Sequence, residues 1–339
     1  MKGLFKKLGT GMVMGLALLA SQGASAQTAF KVQVYPGNIT SLFAYMGVEL
    51  GYYKKHGLDV ELVNISTGPQ ANAALAGGSV DVIMTTPDNM LLFKSRGFDP
   101  VAVMGNAKEP VMRLVGHPAK TTVAPGADYK TAMQSLKGKT VGVYGLGSAA
   151  HRYVQLLARD AGLKPDELKY TGVSGGGQSL AGLQTGSMDA VTEVFASVIM
   201  IEQLGQGKLL LDCATQECPA WATETGRMSQ AWWTTRSFLE KNPAAMQAYI
   251  KAHREIDQWI RDPANRDALV AALKKIYPVP QGLEADTYFK AVAEKVPGYF
   301  TVATYPKAIA DTQAIMLETG ELKTPVDTAA MVWDQAAAD

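Results

Sequence analysis

The chain has 339 residues, 47% apolar and 19% charged, with 32 Lys and Arg against 31 Asp and Glu for a formal net charge of +1. Those are globular values, and the length suits two lobes of ordinary domain size. Near-neutral charge without a long basic run excludes the electrostatic footprint of a nucleic-acid binder.

Residues 1–26 read as an export leader rather than as part of the fold. Lys2, Lys6 and Lys7 precede the uncharged stretch Gly9–Ala20, and Ala24-Ser25-Ala26 fits the small-x-small cleavage rule. Cleavage after Ala26, a mature start at Gln27 and a periplasmic location follow as expectations. The apolar stretch is short for a bilayer span.

In the mature chain, Phe30–Val34 predicts a strand, Pro36–Asn38 a turn and Ser41–Lys55 one helix stopped at Gly57. Val60–Ile65 is a second strand, followed by a helix that opens near Pro69 and ends at Gly77-Gly78. Val80–Met84, Val101–Gly105 and Val111–Gly116 read as strands, and Pro87–Lys94 as a helix. His117–Asp128, rich in Pro, Thr, Ala and Gly, reads as a first crossing between lobes. Then come strands at Thr140–Val143, Leu168–Val173, Met188–Val194 and Leu209–Asp212, interleaved with helices at Ser148–Ala161, Gln178–Gln184 and Ser197–Leu204. The chain is expected to return near Met228–Thr235. Helices at Pro243–Ile260, Pro263–Ile276, Ala285–Lys295 and Pro306–Glu318 are expected to pack on the first lobe.

Part of the chain occurs twice. Shifted by 108 positions, Ser66–Asp81 lies on Ser174–Asp189 with eight of 16 positions identical, and Gly37 lies on Gly145. A repeat of strand–loop–helix units predicts an α/β fold of two similar lobes with a hinge and a ligand cleft between them. The boundaries so read are 27–117 plus 236–339 for lobe I and 118–235 for lobe II. Ligands on such sheets sit at the carboxyl ends of strands, so paired loops from the two lobes are the candidate site.

Those loops nominate Tyr35, Gly37, Asn38, Ser66, Thr67, Gly68, Thr86, Pro87 and Asp88 from lobe I. Lobe II contributes Gly147, Ser148, His151, Ser174, Gly175, Gly176, Glu193 and Phe195. Gly, Ser and Thr let backbone approach a ligand and supply hydroxyls, and helix N-termini there offer unpaired N–H groups to anions. The competing reading is that these are ordinary turn and capping residues. His151 is a candidate donor, and Glu193 would accept from an amine or ring N–H while disfavouring a bare anion. Tyr35, Phe195, Trp221, Trp232 and Trp233 are candidates for an aromatic wall, or are simply core. Gly145-Leu146-Gly147-Ser148-Ala149-Ala150 resembles a dinucleotide fingerprint, but the following strand lacks the acidic residue at its tip. No cofactor, metal or catalytic residue is expected.

Cys213 and Cys218 are the only cysteines. In an exported protein a close pair predicts a disulfide, the alternative being two free thiols.

Three segments carry a family resemblance: Met46–Glu61 (MGVELGYYKKHGLDVE), Leu136–Val143 (LKGKTVGV) and Phe238–Pro243 (FLEKNP). With them the chain resembles the nitrate/sulfonate/taurine family of periplasmic substrate-binding proteins from about Phe30 to Ile260. The resemblance implies a type II binding fold, a monomer, capture of a small organic anion such as a sulfonate or aromatic carboxylate, and delivery to an ABC transporter permease. It also implies two alternatives: uptake of a heteroaromatic, pyrimidine-like precursor, and a same-fold biosynthetic enzyme. The predicted loops carry no arginine clamp, which leaves the ligand class open.

Overall fold

The structure, a computed structural model, describes residues 27–121, 123–124 and 127–336. The leader read at 1–26 lies outside the described residues. Ten strands form the framework: β1 (Thr28–Val34), β2 (Leu58–Asn64), β3 (Ile83–Thr85), β4 (Pro100–Ala107), β5 (Arg113–Gly116), β6 (Thr140–Val143), β7 (Lys169–Gly172), β8 (Ala190–Glu193), β9 (Lys208–Leu211) and β10 (Gln230–Thr235).

They build two sheets with one topology. In lobe I, parallel β1–β2 meets the ladder β3–β10–β4 through the parallel bridge of Val32 with Val82. The resulting order is β2-β1-β3-β10-β4, with β10 antiparallel to both neighbours. In lobe II the order is β7-β6-β8-β5-β9, with β5 antiparallel to β8 and β9. Each sheet thus receives one reversed strand in its fourth place.

The duplication persists down to single contacts. Shifting Pro87–Ser95 by 108 positions gives the helix Phe195–Gln203, and Gly68–Ala76 falls on Gly176–Thr185. Asp81 accepts from the N–H of Lys31 at 2.7 Å, and Asp189 from that of Thr140 at 2.9 Å. Gly78 and Gly186 hold the same left-handed turn, at φ 69° and 70°, where a side chain would be strained.

The reversed strands move both lobe boundaries. β5 hydrogen-bonds inside the lobe II sheet and β10 inside that of lobe I. The crossings therefore fall between β4 and β5, ahead of the expected His117–Asp128, and just before β10, within the expected return at Met228–Thr235 but ahead of the boundary drawn after Thr235. A short apolar run that pairs antiparallel reads alike whichever sheet takes it, so sequence placed both runs with their chain neighbours.

Two other expectations change. Gly51, at φ 74°, splits the long first helix into Leu42–Glu49 and Tyr52–Lys55. The carboxyl-terminal helices do not rest on lobe I alone. Tyr288, Phe289, Val292 and Tyr299 of helix Ala285–Tyr299 share one buried cluster with Phe43 of lobe I and with Val194, Phe195 and Ala196 of lobe II. Lobe I has a second core around Phe30, Trp232 and Tyr249, and lobe II one around Leu136, Val141 and Leu157. Cys213 and Cys218 are disulfide-bonded at the end of β9. Among the described residues no helix is long and apolar enough to cross a membrane, and no group of His, Cys, Asp and Glu could hold a metal ion.

Candidate functional site

Two linked cavities open between the lobes where strands give way to helices. The larger, of about 1090 Å³ including its mouth, is lined by Tyr35, Gly37, Asn38, Ser66, Tyr144, Ser174, Gly175 and Gly176. The smaller, of about 520 Å³ including its mouth, shares Tyr35, Asn38, Ser66, Tyr144 and Val194 with it and adds Thr67, Gly68, Thr85, Thr86, Asn89, Ser148 and Gln230. Helices Gly68–Ala76, Ala149–Asp160 and Gly176–Thr185 begin at this wall, so their unpaired N–H groups face the space. Close packing keeps the glycines small. A Cβ on Gly68 would meet Asn89 Nδ2 at 2.6 Å, and one on Gly176 would meet Ser197 Oγ at 2.6 Å. No Lys, Arg or His lies among the residues lining these two cavities.

Glu193 ends β8 directly behind this wall and is fully buried. Tyr144 Oη donates to its Oε2 at 2.7 Å, while Oε1 has no hydrogen-bond partner among the described residues. Burial pushes the carboxyl up to about 7, opposed by the nearby hydroxyls of Ser179, Tyr144 and Ser197. Burial, followed by the Glu193 charge, raises the Tyr144 phenol well above its ordinary value. Tyr144 lines both cavities, and its oxygen, whose proton goes to Glu193, has acceptor capacity that the nearby Ser197 hydroxyl also uses. Burial likewise pushes the Tyr35 phenol up to about 12, so these two phenols stay protonated at neutral pH.

Several nominated residues sit elsewhere. Phe195 is core, its ring 4.9 Å from that of Tyr299, because the carboxyl-terminal helix covers this loop. His151 turns back on its own turn: Gly147 N–H donates to its Nδ1 at 3.0 Å, and its ring packs 4.4 Å from Tyr170. Gly147 is exposed and lines neither cavity. Ser148 caps its helix, accepting from His151 N–H at 3.3 Å, while still lining the smaller cavity. Pro87 and Asp88 face a third space beside the crossings, where Trp221 also lies. Trp232 and Trp233 are buried in β10, their indole N–H groups donating to Asn106 Oδ1 at 3.0 Å and Thr85 O at 3.1 Å.

Sequence reasoning missed Tyr144, which stands between Val143 and Gly145 at a nominated strand exit; the loop's glycines drew attention away from it. It also missed Tyr277 and Tyr288 on the carboxyl-terminal segment, which form a third wall of the larger cavity. Tyr277 Oη donates to Asn38 O at 3.2 Å and Tyr288 Oη to Ala196 O at 3.3 Å. Nothing in a one-dimensional repeat points to a wall outside the repeat.

A family model described as NMT1/THI5 like matches residues 38–265. The chain belongs to the NMT1/THI5-like family. One similar relative is 4-amino-5-hydroxymethyl-2-methylpyrimidine phosphate synthase THI13 of Saccharomyces cerevisiae, 24% identical over 268 residues that cover 75% of this chain and 72% of the yeast protein. Among solved structures, the alkanesulfonate-binding protein SsuA of Xanthomonas axonopodis pv. citri superposes with TM-score 0.71 at 17% identity, over 91% of this chain and 98% of its own. The periplasmic nitrate-binding protein NrtA of Synechocystis PCC 6803 superposes with TM-score 0.70 at 16% identity, over 90% and 84%. This NMT1/THI5-like chain therefore has the periplasmic binding protein fold, and its structural neighbours are solute-binding proteins. Identities this low carry fold, not ligand.

Proposed function

We propose that this protein is an exported solute-binding protein which takes an uncharged, N–H-bearing heteroaromatic molecule of the aminopyrimidine class and delivers it to an ABC transporter permease. In this reading the leader is cleaved after Ala26 and the protein acts as a monomer in the periplasm. The Tyr144–Glu193 pair carries the choice of ligand. Its free acceptor receives a ligand N–H, and the buried carboxyl penalises an anion placed beside it. Helix N-termini, Ser66, Ser174 and Asn38 supply donors and acceptors for ring nitrogens and substituents. The yeast relative's name, a pyrimidine phosphate synthase, agrees with this ligand class. An enzyme reading needs a nucleophile or base facing the cavity, and the lining offers hydroxyls without lysine or histidine.

One observation favours a second reading. The N-termini of helices Gly68–Ala76 and Ala149–Asp160 line the smaller cavity and that of Gly176–Thr185 the larger, an arrangement that suits a sulfonate or carboxylate, and two structural neighbours are named for alkanesulfonate and nitrate.

Calorimetry with 4-amino-5-hydroxymethyl-2-methylpyrimidine, taurine and benzoate separates the two. The first reading expects the aminopyrimidine to bind and Tyr144→Phe to weaken it by about tenfold or more, the equivalent of ~1.4 kcal/mol for one lost hydrogen bond. Binding of taurine or benzoate with no response to the aminopyrimidine would replace it with the second.

A further inference from the structure

Beyond the polar cleft lies a third space of about 770 Å³, running along both crossings. Lobe I supplies Pro87, the crossing before β5 supplies Met112, lobe II supplies Tyr153, Leu156 and Trp221, and helix Pro306–Glu318 supplies Ile315. Its walls are predominantly apolar, as in small-molecule compartments, and its volume counts an open mouth. It adjoins the polar cleft: Thr86, Val111, Met112, Ala149 and Ala150 line both it and the smaller cavity.

We propose that this chamber is a second ligand compartment, taking an uncharged apolar or aromatic arm of the solute whose polar head occupies the Tyr144 end of the cleft. The chemistry of the charged residues in the wall sets the class. Among the described residues Arg152 is the only cation lining the chamber, and four of its five N–H groups are already used. They donate to Asp88 Oδ2 from both Nε (2.9 Å) and Nη2, to Gly147 O (2.7 Å) and to Asn89 Oδ1 (3.2 Å). Its Nε also lies 3.2 Å from Glu321 Oε2. A guanidinium so occupied has no fork left for an anion, and the Asp88 and Glu321 carboxylates repel one. The indole N–H of Trp221 is likewise committed, donating to Asp160 Oδ2 at 2.5 Å. Its ring, edge-on to Tyr153 at 5.7 Å, is left as apolar surface. The head assignment rests on the function proposed above; the chamber assignment does not.

The test uses two probes and two chamber-filling variants, Ile315→Trp and Thr225→Phe, each checked for folding by circular dichroism. The uncharged fluorophore N-phenyl-1-naphthylamine should bind the wild-type protein with an emission increase. Both folded variants should lose that binding by about tenfold or more. Absence of an emission increase, or one indifferent to both fillings, would overturn the chamber. The second probe pair is 4-amino-2-methylpyrimidine and its 5-benzyl derivative. The benzyl compound should bind more tightly to wild type, with the advantage lost in the fillings and the parent compound unaffected. Equal affinities for the pair would overturn the shared-solute assignment. If neither pyrimidine binds, the head reading fails, and the naphthylamine result still decides the chamber.

Discussion

At the scale of single residues, Glu193 is where chemistry and stability meet. Its carboxyl rises from 4.5 to about 7 because burial removes water from the charged form. A raised acid pKa means that the folded state holds the proton more tightly than the unfolded one. Stability contributed by this group is therefore fully present below about 4.5 and is lost as pH climbs towards 7. The loss is on the order of 3 kcal/mol. His253 opposes the trend: burial takes its imidazole down to about 3, so its contribution is present above the ordinary histidine value and is lost as pH falls. Glu193→Gln isolates the first effect, since both proteins keep His253. Urea denaturation at pH 5 and pH 7.5 should show the variant gaining on wild type at the higher pH. Parallel losses in the two proteins would mean that Glu193 is ionised at little cost. Sequence showed Glu193 at a strand exit, and that much could be read. Its partner could not, because Tyr144 and Glu193 meet only when β6 and β8 pair.

At the scale of elements, the repeat made most of the two sheets legible, since strands and helices recur at one offset with alternating apolar runs. What escaped was the sheet that takes β5, read as a strand but given to lobe I, and the reversed pairing of β10, because both break that offset; so did the third wall of the cleft. β4 illustrates how that outer layer is seated. Its Gly105 N–H donates to Val302 O at 3.1 Å, and a Cβ at Gly105 would stand 2.1 Å from the backbone oxygen of Ala303. A backbone atom cannot swing aside as a side-chain tip can. Gly105→Ala should therefore force β4 away from residues 301–303, costing roughly 2 kcal/mol or more as overpacking. The displaced segment leads out of the helix that carries Tyr288 and Val292 into the cleft, so ligand affinity should fall with stability. A variant with wild-type melting would show that the carboxyl-terminal layer is only loosely attached to lobe I.

At the scale of the whole molecule, two of the contacts that join the lobes differ in character. One is apolar, with Phe195 of lobe II against Tyr299 of the carboxyl-terminal layer. The other is ionic, with Arg152 of lobe II between Asp88 and Glu321. Hinge closure about two crossings needs contacts that form only when the lobes meet, and the Arg152 cluster fits that description because its members come from separate lobes. Arg152 and Asp88 are largely buried, with side chains 12% and 14% exposed, so salt screens them less than a surface pair. Removing the guanidinium would leave two carboxylates facing each other in a poorly hydrated space. Arg152→Ala should cost roughly 2–3 kcal/mol, at or below the range for breaking a buried pair because Glu321 keeps some solvent. It should also enlarge the radius of gyration of the ligand-free protein in small-angle scattering as the lobes separate. Arg152→Lys keeps the charge but not the fork, and should recover the stability only in part. If Arg152→Ala melts lower at an unchanged radius of gyration, the remaining contacts between the lobes suffice to hold them together, and the ion cluster serves packing rather than closure. An unchanged melting temperature would show that neither role belongs to Arg152.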